Sequence, residues 1–107
     1  MEYFTIQDIE PRRPADGVEI RAISGERMTI AFFHLAPGSA VPEHAHPHEQ
    51  IGTVLKGTMN LVIGGKKVAV SEGGIYIIPP DVPHGGKCGD TVAEVIEVFS
   101  PVREDMK

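Results

Sequence analysis

The sequence predicts an all-β fold, either a closed barrel or a two-sheet sandwich. Three observations carry that reading. Gly and Pro (12 and 9 of 107 residues) are spread along the whole chain, well above an average usage of roughly 12%. Between them lie short runs rich in β-branched residues, spaced regularly. A helical period of apolar residues is hard to find in any of these runs. The length fits one domain over residues 1–107, because single domains cluster at roughly 100–150 residues. A chain of this size buries about two thirds of its unfolded surface, enough for a core without covalent staples.

The expected strands follow from the turns that bound them. Val18–Ser24 and Met28–Leu35 come first, and Pro37–Gly38 closes the second. Ile51–Leu55 and Met59–Ile63 flank Lys56–Gly57. Ile63-Gly64-Gly65-Lys66 is a tight hairpin signal that leads into Lys67–Val70. Glu72–Gly73–Gly74 opens Gly74–Ile78, and Pro79-Pro80-Asp81 ends it. Gly85–Gly86 reads as a further turn before Thr91–Phe99. So small a sheet must protect its edges by closing or doubling. Thr91–Phe99 is apolar on both faces, as is Val18–Ser24. A strand with one wet face does not look like that. The second face packs on another sheet or on a second subunit, and a twofold homodimer is the expected assembly.

Charge and cysteine usage exclude several classes. Ten basic residues stand against fifteen acidic ones, net −5, with no basic cluster beyond Arg12–Arg13 and Lys66–Lys67. Nucleic acid and anionic membranes need a concentrated positive face, so neither is an expected partner. The single Cys88 rules out an internal disulfide and every Cys-rich zinc module, and its only cationic neighbour is Lys87, so an inert thiol is expected. No apolar run approaches the roughly 18 residues of a membrane span, and no signal-peptide pattern opens the chain. The expected location is the cytoplasm.

One cluster stands out chemically. Glu43, His44, His46, His48, Glu49 and Gln50 crowd together, and His84 follows the turn-rich Pro79–Pro83 stretch. On a strand, His44 and His46 leave the same face, and Gln50 returns to that side four residues after His46. A neighbouring strand could set His84 opposite them. Three imidazoles and an amide oxygen suit a divalent first-row metal. Taken alone, a His-x-His pair in a β protein is more often solvated or hydrogen-bonded, so spacing has to decide.

The spacing resembles the two motifs of the cupin superfamily. The first, Gly-x5-His-x-His-x3-Glu-x6-Gly, runs from Gly38 through His44, His46 and Gln50 to Gly57, with Gln50 replacing the Glu. The second, Gly-x5-Pro-x-Gly-x2-His-x3-Asn, runs from Gly73 through Pro79, Asp81 and His84 to Cys88, with Asp81 and Cys88 as replacements. The resemblance implies a jelly-roll barrel, the cupin double-stranded β-helix, with motifs at residues 38–57 and 73–88. It implies one divalent transition metal (nickel, zinc, manganese or iron) on His44, His46, Gln50 and His84. An amide leaves the ion its full positive field, which suits Lewis-acid work on an anionic substrate.

A narrower resemblance is to the KdgF-like pectin-degradation cupins. It rests on His44-Ala-His-Pro-His-Glu-Gln50-Ile-Gly52 and on Glu97-Val-Phe99-Ser-Pro-Val-Arg103-Glu-Asp105. The family pattern there is Asp-x-Phe-Ser-Pro-Pro-Arg-x-Asp, so Phe99 and Arg103 match while Glu97 is one methylene longer. Those proteins speed conversion of 4,5-unsaturated uronates to linear 5-keto-4-deoxyuronate. The resemblance implies an acidic-sugar substrate, with Arg103 gripping its carboxylate, Glu97 moving a proton and Phe99 forming a pocket wall or core. Alternation leaves two registers for Glu97. It is a buried carboxylate if Val95 and Phe99 face inward, the preferred reading, and a surface charge if Ile96 and Val98 do. Tyr76 could reach the cavity, with core or interface packing the preferred reading, and His48 is expected at the surface or the pocket rim rather than as a ligand. Two other classes stay open, an iron-dependent dioxygenase and a non-enzymatic metal or sugar sensor.

Overall fold

The computed structural model describes all residues, Met1–Lys107. Ten antiparallel strands form two sheets. The strands are β1 (Arg12–Ala15), β2 (Val18–Ser24), β3 (Thr29–Leu35), β4 (Ala40–His44), β5 (Glu49–Lys56), β6 (Thr58–Ile63), β7 (Lys66–Ser71), β8 (Ile75–Ile78), β9 (His84–Cys88) and β10 (Ala93–Ser100). The larger sheet has the order β1-β2-β3-β10-β5-β8, and the smaller β4-β9-β6-β7. The inner faces meet in a jelly roll whose core takes Val18, Leu35, Val54, Ile78, Val95 and Phe99 from the larger sheet and Met59, Leu61 and Cys88 from the smaller. No helix is long and apolar enough to cross a membrane.

All seven expected strands are present within two residues of their expected ends. Gly64 (φ +55°) and Gly65 (φ +79°) turn the β6–β7 hairpin, with Ile63 paired to Lys66; two successive positive φ angles are what a type I′ turn requires. Three strands lacked a sequence signal. β1 and β4 are edge strands of mostly exposed residues carrying Pro14 and Pro42, and edges are where Pro is tolerated. The third, β9, corrects the turn expected at Gly85–Gly86. Both glycines lie inside a strand between β4 and β6. A Cβ on Gly85 would sit 2.9 Å from the Glu43 backbone nitrogen, and one on Gly86 2.7 Å from Leu61 Cδ2. The glycines serve close approach here, not a bend.

The two-faced β10 resolves in the same way. Ala93, Val95, Glu97 and Phe99 are buried against the smaller sheet. The outer face is also apolar. The register aligns Ile23, Ile30, Val98, Ile51 and Ile77 in one row across five strands. Ile75 and Ile77 are 71% and 60% exposed there. After β10 the chain returns to the barrel. The Arg103 N–H donates to Thr29 Oγ1 (3.0 Å), and the Arg12 guanidinium donates to the carbonyls of Asp105 and Lys107.

Candidate metal centre and acid–base pocket

The pairing of β4 with β9 sets His44 opposite His84, so their rings stand 4.4 Å apart between centroids. His46 lies just past the end of β4 rather than on it, a departure from the expected strand pair. The Asp81 N–H donates to its carbonyl (2.8 Å). Asp81 adopts φ 65°, the left-handed region that explains why the motif has Gly at this position. The His46 ring stands 4.9 Å from that of His84, and the three histidines bring ligand nitrogens within 4.8 Å of one another.

Local hydrogen bonds set the tautomers. Nδ1 of His44 lies 2.8 Å from the Pro42 carbonyl and Nδ1 of His84 lies 2.9 Å from that of Val82. A carbonyl only accepts, so both rings carry the proton on Nδ1 and keep the Nε2 lone pair for a metal. Nε2 of His84 is buried without a partner, which is costly unless something binds there. Burial lowers the His46 pKa to about 4, with help from the charge of Arg103 and the other histidines; burial also lowers that of His84. Neutral rings are the ligating form. The donor set therefore fits a divalent ion, with Gln50 as fourth member. Gln50 Oε1 lies 3.0 Å from His46 Nε2. At that distance the amide oxygen accepts a hydrogen bond from the ring.

Gln50 is buried on β5 and faces two ways. Its oxygen points to the histidines, and its Nε2 donates to Glu97 Oε2 on β10. An amide does both, which an ionised carboxylate cannot. Glu97 faces inward, as preferred from sequence, and also accepts from the Tyr76 hydroxyl (2.6 Å). Burial pushes its carboxyl up, and the hydrogen bonds from Tyr76 and Gln50 offset this only in part. Tyr76, expected above mainly in packing, is thus a polar member of the pocket; burial and the Glu97 charge push its phenol far up. The sequence holds no signal for that contact, which depends on strand register.

Phe99 is fully buried, and the Arg103 guanidinium lies 4.7 Å from its ring centroid. Arg103 is itself 8% exposed and is clasped by Asp105, from Nε to Oδ1 (3.0 Å) and Nη2 to Oδ2 (2.8 Å). Its Nη1 makes no hydrogen bond within the chain. His48 Nε2 lies 3.1 Å from the Val102 carbonyl, holding the C-terminal segment rather than joining the three ligands. Cys88 is buried, with its thiol donating to the Thr91 carbonyl (3.1 Å), in keeping with an inert thiol. A cavity of about 240 Å³ connects His44, His84, Gln50, Tyr76, Glu97 and Arg103.

Comparison with known proteins agrees with this architecture. A cupin-domain family model matches residues 31–99. The chain is 29% identical to the pectin degradation protein KdgF of Dickeya dadantii, over 98% of each. The structure of KdgF from a Halomonas species superposes with a TM-score of 0.91 at 24% identity, covering 100% of this chain and 99% of that one. An RmlC-like cupin from Shewanella frigidimarina gives 0.90 at 26% identity, covering 100% and 97%. Two inner β-faces, a three-histidine cluster and the matched residues lead to one conclusion: this chain belongs to the cupin family and is similar to its KdgF-like members along its whole length.

Proposed function

We propose that the protein is a metal-dependent enzyme that converts 4,5-unsaturated uronates, from pectin or alginate breakdown, to linear 5-keto-4-deoxyuronate. The observation that carries this is the position of Glu97 and Arg103 on one cavity with His44, Gln50 and His84, the last with its ring 4.9 Å from that of His46. The likeness to KdgF proteins of pectin degradation supports the substrate class. The reaction is an isomerisation: the C1–O5 ring bond breaks as the C1 hydroxyl gives up its proton and becomes the aldehyde, O5 is left on C5 as an enolate, and a proton added at C4 completes the C5 ketone. A divalent ion on His44, His46, Gln50 and His84 would supply Lewis-acid polarisation. Arg103 offers Nη1 to the substrate carboxylate, while Asp105 and the Phe99 ring hold the guanidinium in place. Glu97 carries the proton, and burial raises its pKa, which favours the protonated form. Phe99, Ile78 and Leu61 line the apolar side of the cavity.

The test follows the ultraviolet absorbance of the unsaturated uronate. It should disappear faster with metal-loaded protein than with chelator-treated protein, and equal rates would end the reading. We also propose a cytoplasmic homodimer joined through the outer isoleucine rows of the larger sheet. Light scattering should give twice the chain mass, and Ile77→Lys should return a monomer. A monomeric wild type at micromolar concentration would refute this assembly.

A further inference from the structure

We infer that Tyr76 and Gly52 are positioning residues that make Glu97 a one-sided acid–base group. The inference rests on the role given to Glu97 above, and it starts from one rung of the larger sheet. Gly52 pairs with Tyr76 on β8 and with Glu97 on β10, so the three lie in line across three strands. Neighbouring strands stand about 4.8 Å apart, which puts β8 and β10 beyond direct backbone contact. Tyr76 spans the gap by lying across Gly52. A Cβ at Gly52 would sit 2.3 Å from Tyr76 Cζ, 2.4 Å from its hydroxyl oxygen and 2.7 Å from Cε2. Any residue but glycine would displace the ring. Gly52 has no positive φ, so the vacancy is steric and not conformational.

The ring delivers its hydroxyl to Glu97 Oε2, the same oxygen that accepts from Gln50 Nε2. Two donors occupy that oxygen. A proton arriving on Glu97 therefore resides on Oε1, and Oε1 is left to exchange it with a molecule in the cavity. A carboxylate free to rotate would present either oxygen and spend part of its time misaligned. Tyr76 and Gln50 together fix which oxygen reacts.

The experiment uses the metal-loaded full chain with two readouts. Tyr76→Phe keeps the ring and removes only the hydroxyl. Its kcat should fall roughly tenfold or more, the usual scale for losing a hydrogen bond to a charged group, with KM and metal content unchanged. Gly52→Ala should lose kcat in the same way while retaining the hydroxyl. The second readout needs no turnover. The chain has no Trp and two Tyr, and Tyr3 is 82% exposed, so the near-ultraviolet circular dichroism of tyrosine reports Tyr76. Glu97→Gln should change that band. An unchanged band overturns the contact, and an unchanged kcat in Tyr76→Phe overturns the positioning role. Absence of wild-type turnover instead overturns the uronate reading, and the catalytic part of the inference with it, whatever the band does. If Gly52→Ala fails to fold, Tyr76→Phe decides alone.

Discussion

Replacing Gln50 by Glu is the sharpest probe of the pocket, because it restores the acidic residue of the general cupin motif while changing only an amide to a carboxylate. In the native chain Gln50 Nε2 donates to Glu97 Oε2 and Gln50 Oε1 faces His46. In Gln50→Glu two carboxylates meet at that contact. Two like charges about 4 Å apart at an effective dielectric near 20 repel by about 4 kcal/mol. At 1.36 kcal/mol per pH unit that is about 3 units. The pair then holds one proton at neutral pH, as close carboxylates do. A Glu at position 50 faces the three histidines and stays ionised on the metal side, so the proton remains on Glu97. Metal retention should be equal or tighter. The pH at which Glu97 loses its proton, read as a limb of the kcat/KM profile, should rise by about 3 units. The assay is loss of uronate absorbance from pH 5 to 10, with metal content measured in parallel. A profile that stays in place with metal bound would refute the coupling of Gln50 to Glu97, and Glu97 as the group that limits the rate.

Three further outcomes are expected. The wild type should load one divalent ion per chain, and His44→Ala and His84→Ala should lose it; a wild type that no divalent metal loads would remove the metal from the argument. Arg103→Ala should cut kcat/KM for an acidic sugar about tenfold to a hundredfold, the scale of one charged contact, while metal content stays the same; equal rates would sink the clamp. The metal-free protein should lose stability as pH falls from about 6.5 toward 4. The reason is that burial lowers the folded pKa of His46 from 6.5 to about 4, so the unfolded chain binds that proton first and acid favours unfolding. Thermal melts of wild type and His46→Gln across this range check the sign, and identical pH slopes would contradict it.

Much of the site was legible because its signals are local. His44, His46 and His84 carry fixed spacings, and the Gly64–Gly65 turn announces its own hairpin. The inward face of Glu97 could be preferred from the alternation of Val95 and Phe99, although the apolar outer face gave the opposite register nearly equal support. What escaped depends on pairings between distant strands. The β9 glycines look like a turn until β4 and β6 close on either side of them. Tyr76 looks like packing until the rung it shares with Gly52 and Glu97 is known. Likewise, nothing in Arg103-Glu104-Asp105 alone says that Asp105 holds the guanidinium from two residues away.

The return of the C-terminal segment has a practical side. Arg12 holds the carbonyls of Asp105 and Lys107, and that same short stretch carries the clasp on Arg103. A purification tag fused after Lys107 would therefore pull on the arginine of the pocket, and a hexahistidine tag would bring competing imidazoles toward the mouth of a three-histidine centre. Metal stoichiometry and rates are best taken on protein tagged at Met1, which is fully exposed, or freed of its tag altogether.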